Sequence, residues 1–356
     1  MAEIDKVDVA LSILKIAIVV GALLNVTPIM VWVERRGSAL IQDRVGPNRV
    51  GPFGLFQSLA DAAKFFLKED IVPLGAHKWL YSLAPMFGLI PALTTIAVVP
   101  WGRPFPLRSG RIFEPIVADV NVGILLIFAL ASLSVYGIVT AGWASNNKYS
   151  LFGGIRSSAQ MISYELAMTL AAISALMVAG SLRLTDVVWK QTGYFVLFDT
   201  IKIPAWNILS PAMWIPCIVF TVAAFAETNR LPFDFAEAEA ELVAGYHTEY
   251  SSMKFALFFM SEYIAMATVS ALITTLFLGG WDIPWYNEPA TFLGFLLSAA
   301  AFTIKVGILM LIFVWVRWTI PRLKYDILMR VGWKVFLPLA VINILLVALF
   351  IAKEWI

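Results

Sequence analysis

The stretch "VALSILKIAIVVGALLNVTPIMVWV", residues 9–33, decides the fold. As an α-helix it is long enough to cross ~30 Å of hydrocarbon, which takes about 20 apolar residues. The start "MAEIDKVD" is acidic and lacks the basic n-region of a cleavable signal, so the run reads as a genuine span. Seven further runs follow, at roughly 80–101, 118–143, 158–180, 207–228, 254–280, 291–316 and 335–352. Prolines interrupt the second (Pro85, Pro91) and the fifth (Pro211, Pro216). Membrane helices tolerate this where neighbours satisfy the freed carbonyls. The expectation is an all-α polytopic membrane protein of about eight transmembrane helices, with residues 1–356 as one membrane domain.

Composition agrees. Only 14% of residues are charged, against about 25% in a soluble domain. The single cysteine, Cys217, excludes an internal disulfide, a CxxC motif and a Cys-ligated Fe–S cluster. Two histidines cannot supply the axial ligands of a two-haem bundle, and neither His77 nor His247 has metal-ligand spacing. Both read as ordinary surface residues, and no metal site is expected. The net charge of +2 gives no sign of nucleic-acid binding.

Orientation follows from Lys and Arg in the connecting segments. Those after spans one, three, five and seven, with their flanks, hold sixteen; the opposite side holds nine, including Arg103, Arg108 and Arg111. Both termini are therefore expected outside, and the acidic segment at about 229–253 inside. No internal repeat is evident, which counts against a transporter built from inverted halves.

After the first span, Gly46-Pro47 and Gly51-Pro52 fix tight bends. Beyond them Phe56, Leu59, Ala63, Phe66 and Leu67 share one helical face, with Gln57, Asp61, Lys64 and Lys68 on the other. This predicts an amphipathic helix over about 53–68, too short to span. It lies along the membrane surface or packs against the bundle.

Three acids sit in or at the lip of apolar runs: Glu165, Glu227 and Glu262. A carboxylate at membrane depth is costly, so it faces a partner or a wet cavity and marks a proton or ion path. Hydrogen bonding between helices is the plainer alternative. Lys305, inside "FTIKVGILMLI", has no acid on its own span and is expected to pair with one of the membrane glutamates. From Glu227 to Tyr250 runs "ETNRLPFDFAEAEAELVAGYHTEY". Read as a helix, it puts Asp234, Glu237 and Glu241 on one face and Glu239 on the other. Two charges ~5 Å apart repel by roughly 3 kcal/mol at an effective dielectric of ~20, so such carboxylates titrate as a coupled set. A face that docks a basic partner and a divalent-metal site are the alternatives.

Four strings carry a resemblance: "ERRGSALIQDRVGPNRVGPFGLFQSLADAAKFFLKE", "GWASNNKYSLFGGIRSSAQMISYEL", "AETNRLPFDFAEAEAELVAGYHTEYSSMKFALFFMSEY" and "WVRWTIPRLKYDILMRVGWKVFLPL". In this order they resemble the H-subunit family of bacterial NADH:quinone oxidoreductase, respiratory complex I. The resemblance implies a subunit of the bacterial inner membrane, both termini periplasmic, at the joint of an electron-transfer arm and a proton-pumping arm. Quinone is implied as substrate, entering between the first span, the surface helix and the sixth span. FMN and Fe–S clusters are implied only on partner subunits. The implied quinone chamber comprises Glu34, Arg35, Arg36, the surface helix with Phe53, Phe56 and Lys64, and Arg230, Phe233 and Asp234. The implied proton path comprises Glu165, Glu227, Glu237, Glu239, Glu241, Glu249 and Glu262, and Lys305 is placed on the same path.

One departure stands out. Some relatives carry an acid in the third span where this chain reads Ala131-Ser132-Leu133-Ser134, so Ser132, Ser134 or water must relay a proton there. Other readings stay open: an H-like subunit of a membrane-bound hydrogenase or ferredoxin-linked complex, a secondary transporter, and a docking scaffold.

Overall fold

The computed structural model describes residues 6–107, 110–197, 201–235, 243–286 and 288–353. Among them, seven helices are long and apolar enough to cross a membrane, and an eighth apolar segment, Pro211–Glu227, is shorter. The described residues are all-α apart from two small hairpins.

The first helix, α1 (Lys6–Ile41), contains Pro28 and runs past residue 33, so Glu34, Arg35 and Arg36 lie on the helix itself. It ends where Asp43 turns left-handed (φ 51°), ahead of Gly46-Pro47. A 3₁₀ turn follows at Pro52–Gly54. The surface helix α2 is Gln57–Leu67, shorter than the expected 53–68. Gly54 explains the late start: its φ is 74°, and a Cβ there would lie 2.3 Å from the Pro47 carbonyl oxygen. Only glycine combines that backbone with that approach.

Next come α3 (Lys78–Thr95), with both its prolines, and α4 (Gly123–Ala144). Helix α5 (Lys148–Ala179) starts at Lys148, not at 158. Asn147 is its N-cap, accepting a 2.9 Å hydrogen bond from the Tyr149 N–H. The Gly153-Gly154 pair that suggests a loop serves packing. A Cβ at Gly153 would sit 2.7 Å from the Gly245 Cα, and one at Gly154 would sit 3.2 Å from the Ile138 carbonyl. Small residues let membrane helices approach this closely.

After α6 (Leu184–Gln191), two 3₁₀ turns shorten the fifth span to α7 (Trp214–Glu227). Helix α8 (Ser252–Phe277) and α9 (Phe292–Thr319) follow. The last span is α10 (Tyr325–Val331), a π turn at Gly332–Phe336, and α11 (Leu337–Ala352). Pro338 has no N–H to offer the preceding turn, and the π turn absorbs that break. The hairpins β1 (Phe105–Pro106) with β2 (Ile112–Phe113), and β3 (Tyr194–Leu197) with β4 (Ile201–Pro204), are antiparallel and lie in connecting segments.

At the centre α5 packs on α4, α7 and α11, while α8 packs on α1, α3 and α9. One apolar core joins these helices through fully buried Tyr164, Phe220, Ile264 and Phe277. The apolar residues of α2 face outward: Phe66 is 72% and Leu67 89% exposed. Its other edge meets the bundle, through Ser58 Oγ donating to the Pro28 carbonyl (2.7 Å) and the Phe65 carbonyl accepting from Ser252 Oγ (2.9 Å).

Candidate functional site: a charged hub and an acid-lined cavity

The C-terminal ends of α1, α7 and α9 meet at one end of the bundle, and Glu34 is the hub. Its carboxylate, 8% exposed, accepts from the Tyr263 hydroxyl at 2.7 Å and from Arg230 Nη1 at 3.4 Å, and is in direct contact with Arg317 Nη1. The Arg230 guanidinium, 6% exposed, stacks over the Tyr263 ring at 4.2 Å. Arg230 follows the end of α7 and Arg317 lies in the last turn of α9. Orphan carbonyls at helix C-termini favour a cation at such positions. A buried carboxylate between two guanidiniums is held by charge-assisted bonds, stronger than neutral ones. Arg230 Nε and Nη2 are nevertheless buried without a hydrogen-bond partner among the described residues.

Beside this hub, between α3, α4, α5, α7 and α8, lies a cavity of about 80 Å³. Its polar lining includes Glu227, Glu262, Asn229, Ser134 and Thr268; Phe128, Met168 and Leu272 line its apolar depth. The polar end has room and partners for water. Glu262 accepts from the Tyr246 hydroxyl at 3.3 Å. Glu227 is half-buried, its Oε2 atom enclosed and lacking a hydrogen-bond partner among the described residues. Ser132 Oγ, on α4, donates to Glu165 Oε1 on α5. Ser132, in the Ala131–Ser134 turn of α4, is thus in direct contact with a membrane carboxyl group.

Gln160 ties the turn after α7 to α5. Its Nε2 donates to the carbonyls of Ala226 (2.7 Å) and Phe233 (2.8 Å), while Ser157 donates to Asn229 Oδ1 (3.1 Å). This fixes Glu227 and Arg230 between the cavity and the hub.

The other expected chamber residues spread out. Arg35 turns away from Arg230 and pairs with Asp61 at 2.5 Å, with Lys64 3.7 Å from the same acid. Arg36 donates to the Phe53 carbonyl at 2.8 Å and stacks on the Phe53 and Trp32 rings. Phe53 and Phe56 are exposed. Phe233 is buried against Tyr164 at 5.8 Å, and the Asp234 carbonyl accepts from Arg322. Glu249 accepts from Asn147 Nδ2 at 2.6 Å at a separate surface recess. Glu237, Glu239 and Glu241 lie outside the described residues.

Two expectations are corrected. Lys305 does not pair with Glu165, Glu227 or Glu262: its ammonium donates to the carbonyls of Leu278, Gly280 and Asp282 at the far end of α8. The carbonyls that follow α8 take up the ammonium's three donors, so no glutamate is needed to hold it. His247 is not a surface residue but is 6% exposed, packed between Tyr246 and Phe255, because the segment from 243 to 251 folds back against α5. Among the described residues, no group of three or more His, Cys, Asp or Glu side chains converges as a metal centre would need.

Sequence reasoning missed Arg317, Tyr263, Tyr246 and Gln160. Tyr263 adjoins Glu262 in "SEYIA", the one local hint; Arg317 looks like any interfacial cation.

Fold and site together define a polytopic α-helical membrane protein with a buried ionic hub at one end and an acid-lined internal cavity beside it. The sequence profile described as NADH dehydrogenase matches residues 14–348. One of the NADH-quinone oxidoreductase H subunits of Geobacter metallireducens is 48% identical over 339 residues, 95% of each chain. The corresponding H subunit of Salinibacter ruber is 46% identical over 341 residues, 93% of each chain. NADH-quinone oxidoreductase subunit 8 of Rhodothermus marinus is 44% identical over 344 residues, 94% of this chain and 95% of that one. The chain belongs to the NADH dehydrogenase family.

Proposed function

We propose that the chain is a membrane subunit of a proton-translocating NADH:quinone oxidoreductase, in the bacterial inner membrane with both termini periplasmic. It forms one wall of the quinone chamber and carries carboxyl groups within its spans that link quinone reduction to proton movement. The names of its relatives support the assembly; FMN and Fe–S clusters are assigned to partner subunits in this reading. The observation that carries the coupling is the acid-lined cavity, with Glu227 and Glu262, adjoining the Glu34–Arg230–Tyr263 hub.

Reduction of a quinone takes two electrons and two protons. In a low-dielectric wall a new negative charge, or the removal of a proton from a neighbour, changes the protonation of nearby carboxyl groups. Arg230 and Glu34 face the chamber; Glu227, Glu262 and Glu165, with Ser132 as its hydroxyl partner, take the proton change inward. Arg36, Phe53, Phe56 and α2, with Lys64, form the entrance from the bilayer. Phe233 and Asp234 belong to the chamber, and Glu237, Glu239, Glu241 and Glu249 are assigned to the proton path with the membrane glutamates.

The test is Glu227→Gln in the assembled enzyme, reconstituted in vesicles. NADH-driven quinone reduction continues while the protons moved per quinone fall. An unchanged proton yield at wild-type turnover overturns the reading.

A further inference from the structure

Away from the hub, at the other end of α8, three backbone carbonyls converge on one point. Leu278, Gly280 and Asp282 present their oxygens at 2.8, 3.0 and 2.7 Å from Lys305 Nζ. They are turned inward because Gly279 and Gly280 take left-handed backbone, φ 71° and 55°. The Trp206 ring closes the cage, its centroid 4.1 Å from the ammonium, and its Nε1 is held by Asp282 Oδ2 at 2.8 Å. Gly279 leaves room for that indole: a Cβ there would lie 2.3 Å from Trp206 Nε1.

We propose that this carbonyl cage is a binding site for a small monovalent cation, permanently filled by the chain's own Lys305 ammonium. Carbonyl oxygens and an aromatic face suit a monovalent cation, as carbonyl rings do in potassium filters. The distances are too long for calcium at about 2.3–2.6 Å or magnesium at about 2.0–2.1 Å. The carbonyl dipoles at the end of α8 offset the cost of a cation within an apolar span. The ammonium's three donors are all committed to carbonyls, and a carbonyl does not carry a proton onward. Lys305 is therefore a tethered ligand and stands off the proton path.

The experiment compares Lys305→Ala with Lys305→Met in the intact enzyme. Alanine opens the cage, while methionine fills the stem's volume and blocks entry. In choline chloride both variants unfold at lower temperature than wild type. Potassium or ammonium chloride at equal ionic strength raises the midpoint of Lys305→Ala by about 1–2 °C, the shift from occupying a site at several times its dissociation constant. Lys305→Met and wild type do not respond. If Lys305→Ala is too unstable to purify, its accumulation in membranes of cells grown in potassium- or sodium-based medium gives the same readout, with more protein expected in potassium. The proposal is overturned if the two variants respond alike to the cations, if neither responds, or if Lys305→Met matches wild type in choline. It is overturned equally if a cation-rescued, normally stable Lys305→Ala enzyme pumps fewer protons per quinone, since that puts the amine on the path. That outcome leaves the role of Glu227 untouched.

Discussion

Glu34→Ala isolates the energetics of the hub. The wild-type carboxylate takes bonds from three groups on three other segments: Tyr263, Arg230 and Arg317. Arg230 depends on it most, because its side chain is only 7% exposed and Nε and Nη2 already lack hydrogen-bond partners among the described residues. Removing Glu34 takes away the carboxylate in direct contact with that guanidinium and leaves two arginines facing each other. Breaking a buried pair by deleting one partner costs about 3–5 kcal/mol. Arg317, with a side chain 26% exposed, can rehydrate, so the loss concentrates on Arg230. Glu34→Gln keeps an acceptor in place and should lose roughly half as much, since a bond to a charged group is about twice a neutral one. Thermal unfolding of the purified complex measures both variants, and a double-mutant cycle of Glu34→Leu with Arg230→Met measures their coupling. An unpaired arginine is worse than no arginine, so the double variant should recover at least ~1 kcal/mol of the summed loss, within the usual range for contacting residues. Additive losses, or a Glu34→Ala complex that melts with wild type, would refute this account of the hub.

Two further predictions test packing and charge elsewhere. Gly153→Ala would place a Cβ 2.7 Å from the Gly245 Cα and 2.8 Å from the Tyr246 nitrogen, all rigid backbone; the loss is about 1–3 kcal/mol, read as reduced assembled complex, whereas Gly21→Ala, with nothing within 4 Å, is neutral or slightly stabilising. In the segment joining α8 to α9, burial pushes the Asp282 carboxyl above its usual range. The folded state therefore holds that proton more tightly than the unfolded chain, and stability falls as pH rises from the usual aspartate value of about 3.9 through Asp282's own higher one. Asp282→Asn should remove that fall, seen as a flatter dependence of the melting temperature on pH, and an unchanged slope would contradict it.

Hydropathy made the spans legible because the membrane imposes a local demand: each crossing must bury its own backbone bonds in one helix of sufficient length. The acids inside or at the lip of apolar runs, Glu165, Glu227 and Glu262, stood out for the same reason. Boundaries were harder where glycine and proline had tertiary duties. Gly153 and Gly154 look like loop residues until Gly245 and α4 are seen against them, and Gly54 ends a turn because Pro47 leaves no room for a side chain.

Sequence alone established a many-span helical membrane protein with charge where charge is expensive. Only the tertiary structure decided which charges meet. Glu34 reaches Arg230, Tyr263 and Arg317 across 196, 229 and 283 residues, and Lys305 meets three carbonyls that carry no sequence signal at all. Hydrophobicity is a property of a segment and can be read along the chain. A salt bridge is a property of two segments, fixed by how helices pack, and so it appears only when they are brought together.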